Sequence, residues 1–161
     1  MDVAVVTELT TIEQLKKHLG RELSLSKWVL VSQEMVNSFA QATGDRQFIH
    51  LDTDRAKETP FGGTIAHGFF ILSILLGFLD TQQEGNRIKF EGGMDINYGL
   101  NKVRFISPVP VGKRVRARNK LLSVEEGPSA EWVQTTLEQT VEVEGLDRPA
   151  MVAETILRHY F

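Results

Sequence analysis

The sequence predicts an α+β protein in which a largely antiparallel β-sheet wraps one buried helix. Residues 66–79 are apolar nearly all round, relieved by His67 and by the small residues Gly68, Ser73 and Gly77. Such a helix is covered on most sides rather than amphipathic. Beyond it, β-patterned runs at 87–98, 101–105, 113–124, 131–143 and 150–160 are separated by short turn signals such as Ser107-Pro108 and Glu126-Gly127-Pro128. Short turns between successive strands imply antiparallel pairing.

Each remaining element follows from local signals. Thr11 caps a short helix reaching Leu19, with Ile12, Leu15 and Leu19 on one face and Gly20 as its stop. Residues 27–31 are rich in β-formers. Ser32 caps a second helix with Met35, Val36 and Phe39 at helical spacing, and Gly44 stops it. The stretch from Asp45 to His50 reads as irregular or briefly extended. Asp52 or Thr53 could cap a brief helix through residues 56–57, and Pro60-Phe61-Gly62-Gly63 signals a loop. Residues 81–86 are polar, contain glycine and read as another loop. Val115, Ala117 and Leu121 alternate with Arg114, Arg116, Arg118 and Lys120, the pattern of a strand with one wet face.

Composition narrows the class of function. A chain of 161 residues, 42% hydrophobic and 24% charged, suits one soluble globular domain with a sizeable core. The net charge of −3 argues against general affinity for nucleic acid. No cysteine is present, which excludes disulfides, thiolate metal sites and a cysteine nucleophile. Four scattered histidines make no dedicated metal site. The N-terminal residues lack a signal-peptide pattern, and the interrupted run at 65–79 is shorter than the roughly 20 apolar residues that span a bilayer. The expected location is the cytoplasm, without membrane association.

Chemistry concentrates in one stretch. Gly44-Asp45 and His50 place a carboxylate and an imidazole five positions apart. Gly62 to Gly68 then carries glycine-rich backbone into the central helix. Helix starts leave backbone N–H groups unpaired at the positive end of the dipole. A carboxylate, an imidazole and such a helix end are the parts for proton transfer beside a polarised carbonyl. Asp45 alone could be a turn residue, and His50 alone a hydrogen-bonded structural histidine. Taken with the helix start, both point to catalysis. His67 reads as a residue that orients the loop. Gly62 and Gly63 are turn formers, since no phosphate-loop lysine follows.

The run from Phe39 through Gly44-Asp45-Arg46-Gln47-Phe48-Ile49-His50, with Ala56 beyond it, resembles the hydratase motif of MaoC-like dehydratases and (R)-specific enoyl-CoA hydratases. The run from Pro60 to Ala66-His67-Gly68 is similar to the start of that family's central helix. Ile96 to Phe105, followed by Pro108-Val109-Pro110-Val111-Gly112, resembles the nodulation protein N branch. The resemblance implies a hot-dog fold, α+β, with the antiparallel sheet wrapped around the long central helix. It implies one domain over residues 1–161, with residues 1–24 as an N-terminal helical extension, and a homodimer. It also implies a lyase that reversibly hydrates trans-2-enoyl-CoA to (R)-3-hydroxyacyl-CoA. By position, Asp45 and His50 take the acid/base roles and the Gly68 N–H faces the thioester oxygen.

The same resemblance places Gln47, Phe48, His67, Asn97, Tyr98 and Asn101 on the substrate side. Asn97, Tyr98 and Asn101 could equally close a strand turn, and Phe48 and Phe61 could be acyl contacts or core. Gln47-Phe48 stands where the family commonly has Asn-Pro, which bears on acyl specificity. Arg114, Arg116 and Arg118 could receive the phosphates of CoA or form a solvated sheet face. No metal or redox cofactor is expected; the partner is an acyl-CoA or acyl-carrier-protein substrate. Competing assignments are an acyl-CoA thioesterase and a non-catalytic acyl-thioester-binding subunit, since fold does not fix function.

Overall fold

The computed structural model describes residues 6–75, 77 and 83–161. In chain order the elements are β1 (Val6–Leu9), α1 (Ile12–Lys16), β2 (Glu22–Ser26), β3 (Val29–Leu30), α2 (Gln33–Thr43), α3 (Phe48–Leu51), α4 (Thr53–Lys57), α5 (Gly68–Ile74), β4 (Gln83–Ile88), β5 (Met94–Phe105), β6 (Arg114–Glu126), β7 (Trp132–Val143) and β8 (Met151–Tyr160). The strands form one sheet in the order β1-β4-β2-β6-β7-β8-β5, with β3 paired to β6 beside that path. Every pairing is antiparallel except β1 with β4.

Local signals set the helix ends. Thr11 and Gln14 form a reciprocal capping box on α1, Ser32 caps α2 through the Met35 N–H, and Asp52 caps α4 through the Arg55 N–H. Gly44 ends α2 in the left-handed conformation at φ +80°, which a side chain would strain. The central helix runs from Gly68 to Ile74, with Leu75 as its C-cap. The expected helix end at residue 79 lies outside the described residues.

Several boundaries differ from expectation. Residues 83–86 belong to strand β4, where a loop was expected. The polar, glycine-containing sequence hides a strand because Gly85 crosses β2 so closely that a Cβ there would lie 2.7 Å from the Leu23 carbonyl oxygen. The expected strand at 87–98 is instead split by a turn around Gly92 and Gly93. A Cβ on Gly93 would meet the Tyr160 carbonyl oxygen at 2.5 Å. Residues 94–105 form one strand, with register shifts at 97/99 and 100/102. Strands β1 and β2 were not foreseen, so the N-terminal stretch joins the sheet as well as supplying α1. Residues 48–51 form the one-turn helix α3 rather than an irregular segment.

The concave face of the sheet carries two apolar clusters. In the first, Phe70, Ile71 and Ile74 of α5 pack among Val115, Ala117, Val141, Met151 and Ala153. In the second, Leu15 of α1 meets Leu23, Leu121, Val133 and Leu137. A buried polar row accompanies them. Gln139 donates to Asn119 at 2.9 Å, and Asn119 donates to Ser24 at 3.0 Å. Nearby, His159 bridges Asp95 at 2.6 Å and Thr135 at 2.9 Å. Among the described residues, no helix is long and apolar enough to cross a membrane.

Asn119→Ala therefore orphans the buried Gln139 amide. It should lower unfolding stability by about 1–3 kcal/mol in urea titration. Glu126→Gln, which removes an exposed ion pair with Lys16, should cost less than about 1 kcal/mol. Equal losses would show that the polar row does not act as a buried network.

Candidate active site

The site is built on the segment after α2. Gly44 turns the backbone so that Asp45 leaves the helix exposed, and the Gln47 N–H leans on the Asp45 carboxylate at 3.4 Å. Helix α3 then carries His50 inward, where it is 7% exposed. Its Nδ1–H donates to the Ile65 carbonyl at 2.7 Å. In the neutral ring that acceptor selects the Nδ1–H tautomer, leaving Nε2 with a lone pair.

The backbone around His50 is equally constrained. Gln33, the first residue of α2, donates to the His50 carbonyl at 2.7 Å and accepts from the Thr64 hydroxyl at 2.7 Å. The Ile65 N–H bonds the Ile49 carbonyl at 3.0 Å, and the Ala66 N–H bonds the Val109 carbonyl at 2.8 Å. The segment 64–67 is thus strapped to α3 on one side and to the loop at 109 on the other before it enters α5.

His67 closes the arrangement. It is buried, and its ring stacks on that of His50 with centroids 3.7 Å apart and planes at 27°. Its Nε2–H donates to the backbone carbonyl of Asp45 at 3.0 Å. The next residue, Gly68, opens α5, whose first N–H groups have no partner within the helix. A Cβ at Gly68 would stand 3.0 Å from the Phe105 ring, so glycine fits a tight wall there.

Two cavities meet at these groups. One of about 320 Å³ runs inward from His50 and Gly68 past Phe61, Ile65, Ile71 and Phe105. Another of about 200 Å³ opens over Asp45, His50, His67, Gly68 and Phe69. His50 and Gly68 line both, so a ligand could pass from the outer basin into the apolar one. Burial lowers the His50 pKa from 6.5, aided by His67; the Ile65 hydrogen bond and Asp45 pull the other way without reversing it. The imidazole is therefore a neutral base near neutral pH.

Asp45, His50 and His67 bring donor atoms within 4.8 Å of one another. Imidazole lone pairs lie in the ring plane. Rings stacked face to face, as here, do not converge on one point about 2.0–2.1 Å from both nitrogens. The arrangement suits hydrogen bonding and proton transfer better than ligation.

The other residues singled out in the sequence lie elsewhere. Gln47 and Phe48 start α3, and the Phe48 ring lies under the Arg55 guanidinium. Asn97 lines a separate polar cavity with Asp95, Asn119 and His159. The Tyr98 ring packs under Arg158, and Asn101 reaches Glu154. None of these five lines either His50 cavity. The strand arginines face carboxylates: Arg114 pairs with Glu144, Arg116 with Glu142, and Arg118 with Glu142 and Glu22. Gln33 and Thr64 were not anticipated; their bonds cross long sequence distances that no local pattern announces.

A match to the MaoC like domain model covers residues 14–143. The chain is 48% identical over 149 residues to 3-hydroxyacyl-thioester dehydratase Z of Mycobacterium tuberculosis, covering 92% of this chain and 95% of that one. It is 44% identical over 147 residues to nodulation protein N of Rhizobium leguminosarum bv. viciae, covering 91% and 89% respectively. The solved (R)-hydratase of A. caviae, involved in PHA biosynthesis, superposes with a TM-score of 0.65 at 26% identity, over 86% of this chain and 94% of that one. The fold is the hot-dog fold.

The depressed His50 pKa has a consequence for stability. The unfolded imidazole takes a proton near 6.5, whereas the folded one does so only at lower pH. Between those values the unfolded chain binds more protons, so this contribution is complete above 6.5 and is lost as pH falls through the folded value. In urea titrations on either side of pH 6.5, wild type should lose more stability on acidification than His50→Gln. Parallel losses would show that His50 is not held neutral by burial.

Proposed function

The chain belongs to the MaoC-like dehydratase family, and we propose that it reversibly hydrates trans-2-enoyl-CoA to (R)-3-hydroxyacyl-CoA. One observation carries this: a neutral, buried His50 with its Nε2 lone pair free shares a cavity with Asp45 and the unpaired N–H end of α5. The relative from Mycobacterium tuberculosis bears the name of a 3-hydroxyacyl-thioester dehydratase, which supports the same reaction class.

In this reading the thioester carbonyl accepts from the Gly68 N–H, which draws electron density from Cβ and stabilises the enolate that develops. A water held between Asp45 and His50 adds its oxygen to Cβ as His50 Nε2 takes its proton. The C=C π pair becomes the enolate, and Cα then receives a proton from the Asp45/His50 pair. One water has been added across the double bond, and no redox partner is needed. The acyl chain occupies the apolar cavity of about 320 Å³. A thioester of CoA and one of an acyl-carrier protein both fit this chemistry.

The paired arginines of β6 favour the solvated-face assignment over CoA phosphate binding. A homodimer is proposed through β5. Among the described residues this edge strand has no partner on one side, and it exposes Met94, Ile96, Tyr98 and Leu100. Ile96→Arg with Leu100→Arg should then shift sedimentation from dimer to monomer. A dimer that survives both changes would remove β5 from the interface.

Turnover of crotonyl-CoA and of a longer trans-2-enoyl-CoA tests the reaction, read by loss of enoyl absorbance and by product stereochemistry. Asp45→Asn and His50→Ala should each lower kcat by about 10²–10⁴-fold while circular dichroism stays native. Gly68→Ala should also slow turnover, because its methyl group would press on the Phe105 ring. Release of free CoA would mark a thioesterase. Acyl-thioester binding without either product would mark a non-catalytic subunit.

A further inference from the structure

His67 occupies the N-cap position of α5 but makes no side-chain cap hydrogen bond. Its Nδ1 is buried and, among the described residues, has no hydrogen-bond partner. Serine, threonine, aspartate or asparagine at this position would cap the helix, and a smaller apolar residue would orphan nothing. The residue therefore carries two stability costs that a purely structural role does not require. In return it makes three contacts, two of them to the proposed acid/base groups. Its Nε2–H holds the Asp45 carbonyl at 3.0 Å, and its ring face lies 3.7 Å from that of His50. The Phe39 ring, 5.1 Å away, packs on it as well.

We propose that His67 is a positioning residue for the reaction: it couples the Asp45 turn to the His50 ring, so that carboxylate and imidazole face the same water. The inference rests on the hydratase reading above. Donation from Nε2 fixes the His67 tautomer and leaves Nδ1 as an unprotonated acceptor. With Nε2–H engaged by the Asp45 carbonyl and its ring face covered by His50, His67 serves through its contacts. Asp45 and His50 are the titratable residues that line the outer cavity with it. An exposed Asp45 side chain, which the Gln47 N–H touches only weakly, needs its backbone fixed from elsewhere, and His67 does this.

Two variants separate the contacts. His67→Phe keeps a ring against His50 and loses the donor; His67→Gln keeps a donor toward Asp45 and loses the ring. Each should lower kcat about tenfold to a hundredfold with KM within about threefold, and His67→Ala should fall below both. His67→Gln should also move the acid limb of the kcat/KM profile, because His50 loses its stacked neighbour. The 15N and 1H shifts of the His50 side chain give a readout independent of turnover. They should change in His67→Gln even if crotonyl-CoA is not the substrate. Absence of turnover in wild type would count against the hydratase reading alone. Folded variants with unchanged His50 shifts, or with wild-type kcat and pH profile, would overturn the role of His67.

Discussion

The 2.7 Å hydrogen bond from His50 Nδ1 to the Ile65 carbonyl organises this molecule at two levels. At the level of chemistry it decides which imidazole nitrogen keeps its lone pair, so a buried histidine becomes a directed acceptor. At the level of structure it joins α3, the turn of helix holding His50, to the segment that becomes α5. The adjoining bond from Ile65 N–H to Ile49 and the Gln33 bridge to Thr64 and His50 reinforce the same junction. Removing the Ile65 carbonyl from this position would free the ring, change its tautomer preference and detach the helix start that supplies the Gly68 N–H.

The sheet gives that junction its rigidity. Helix α5 rests in the concave face against Val115, Ala117, Val141 and Ala153, residues on the three strands β6, β7 and β8 that run through the middle of the sheet. Its start is therefore fixed by packing on side chains far from the chemistry. Burial of His50 follows from the same placement, and burial is also what keeps the imidazole neutral. Packing and proton affinity are consequences of one geometry. Asp45 contrasts with this: it stands in solvent on a glycine-ended helix, held through its backbone.

How much could be read from the chain follows from how local each cause is. Asp45, His50, His67 and Gly68 lie within 24 consecutive residues, and the glycine, caps and apolar run that place them act over a few positions each. Those residues do meet in the fold. The strand pattern from β6 to β8 was legible because buried and exposed positions alternate there. Strands β1 and β2 and the first part of β4 were not: they carry polar residues and owe their form to pairing with distant partners. The arginines of β6 read as a solvated face or a phosphate site, because their carboxylate partners on β2, on β7 and just after it come close only through strand register. Gln33 lies 17 residues from His50 and 31 from Thr64, and its bridging amide leaves no trace in local sequence.

Reaction class and substrate choice depend on different parts of this structure. The groups assigned to bond making are a ring nitrogen, a carboxylate and a backbone N–H, all fixed by hydrogen bonds or helix geometry. The groups facing the inner cavity are apolar side chains, Phe61, Ile71 and Phe105 among them, which can change size without touching that framework. Phe105 is the point where the two meet. A Cβ at Gly68 would stand 3.0 Å from its ring, so the wall of the apolar cavity borders the proposed oxyanion donor directly. A smaller residue at 105 would enlarge the cavity and also loosen the packing over the helix start. Under the proposed reaction, chain-length preference and carbonyl polarisation are coupled there, so a change in acyl selectivity at residue 105 would be accompanied by a change in kcat.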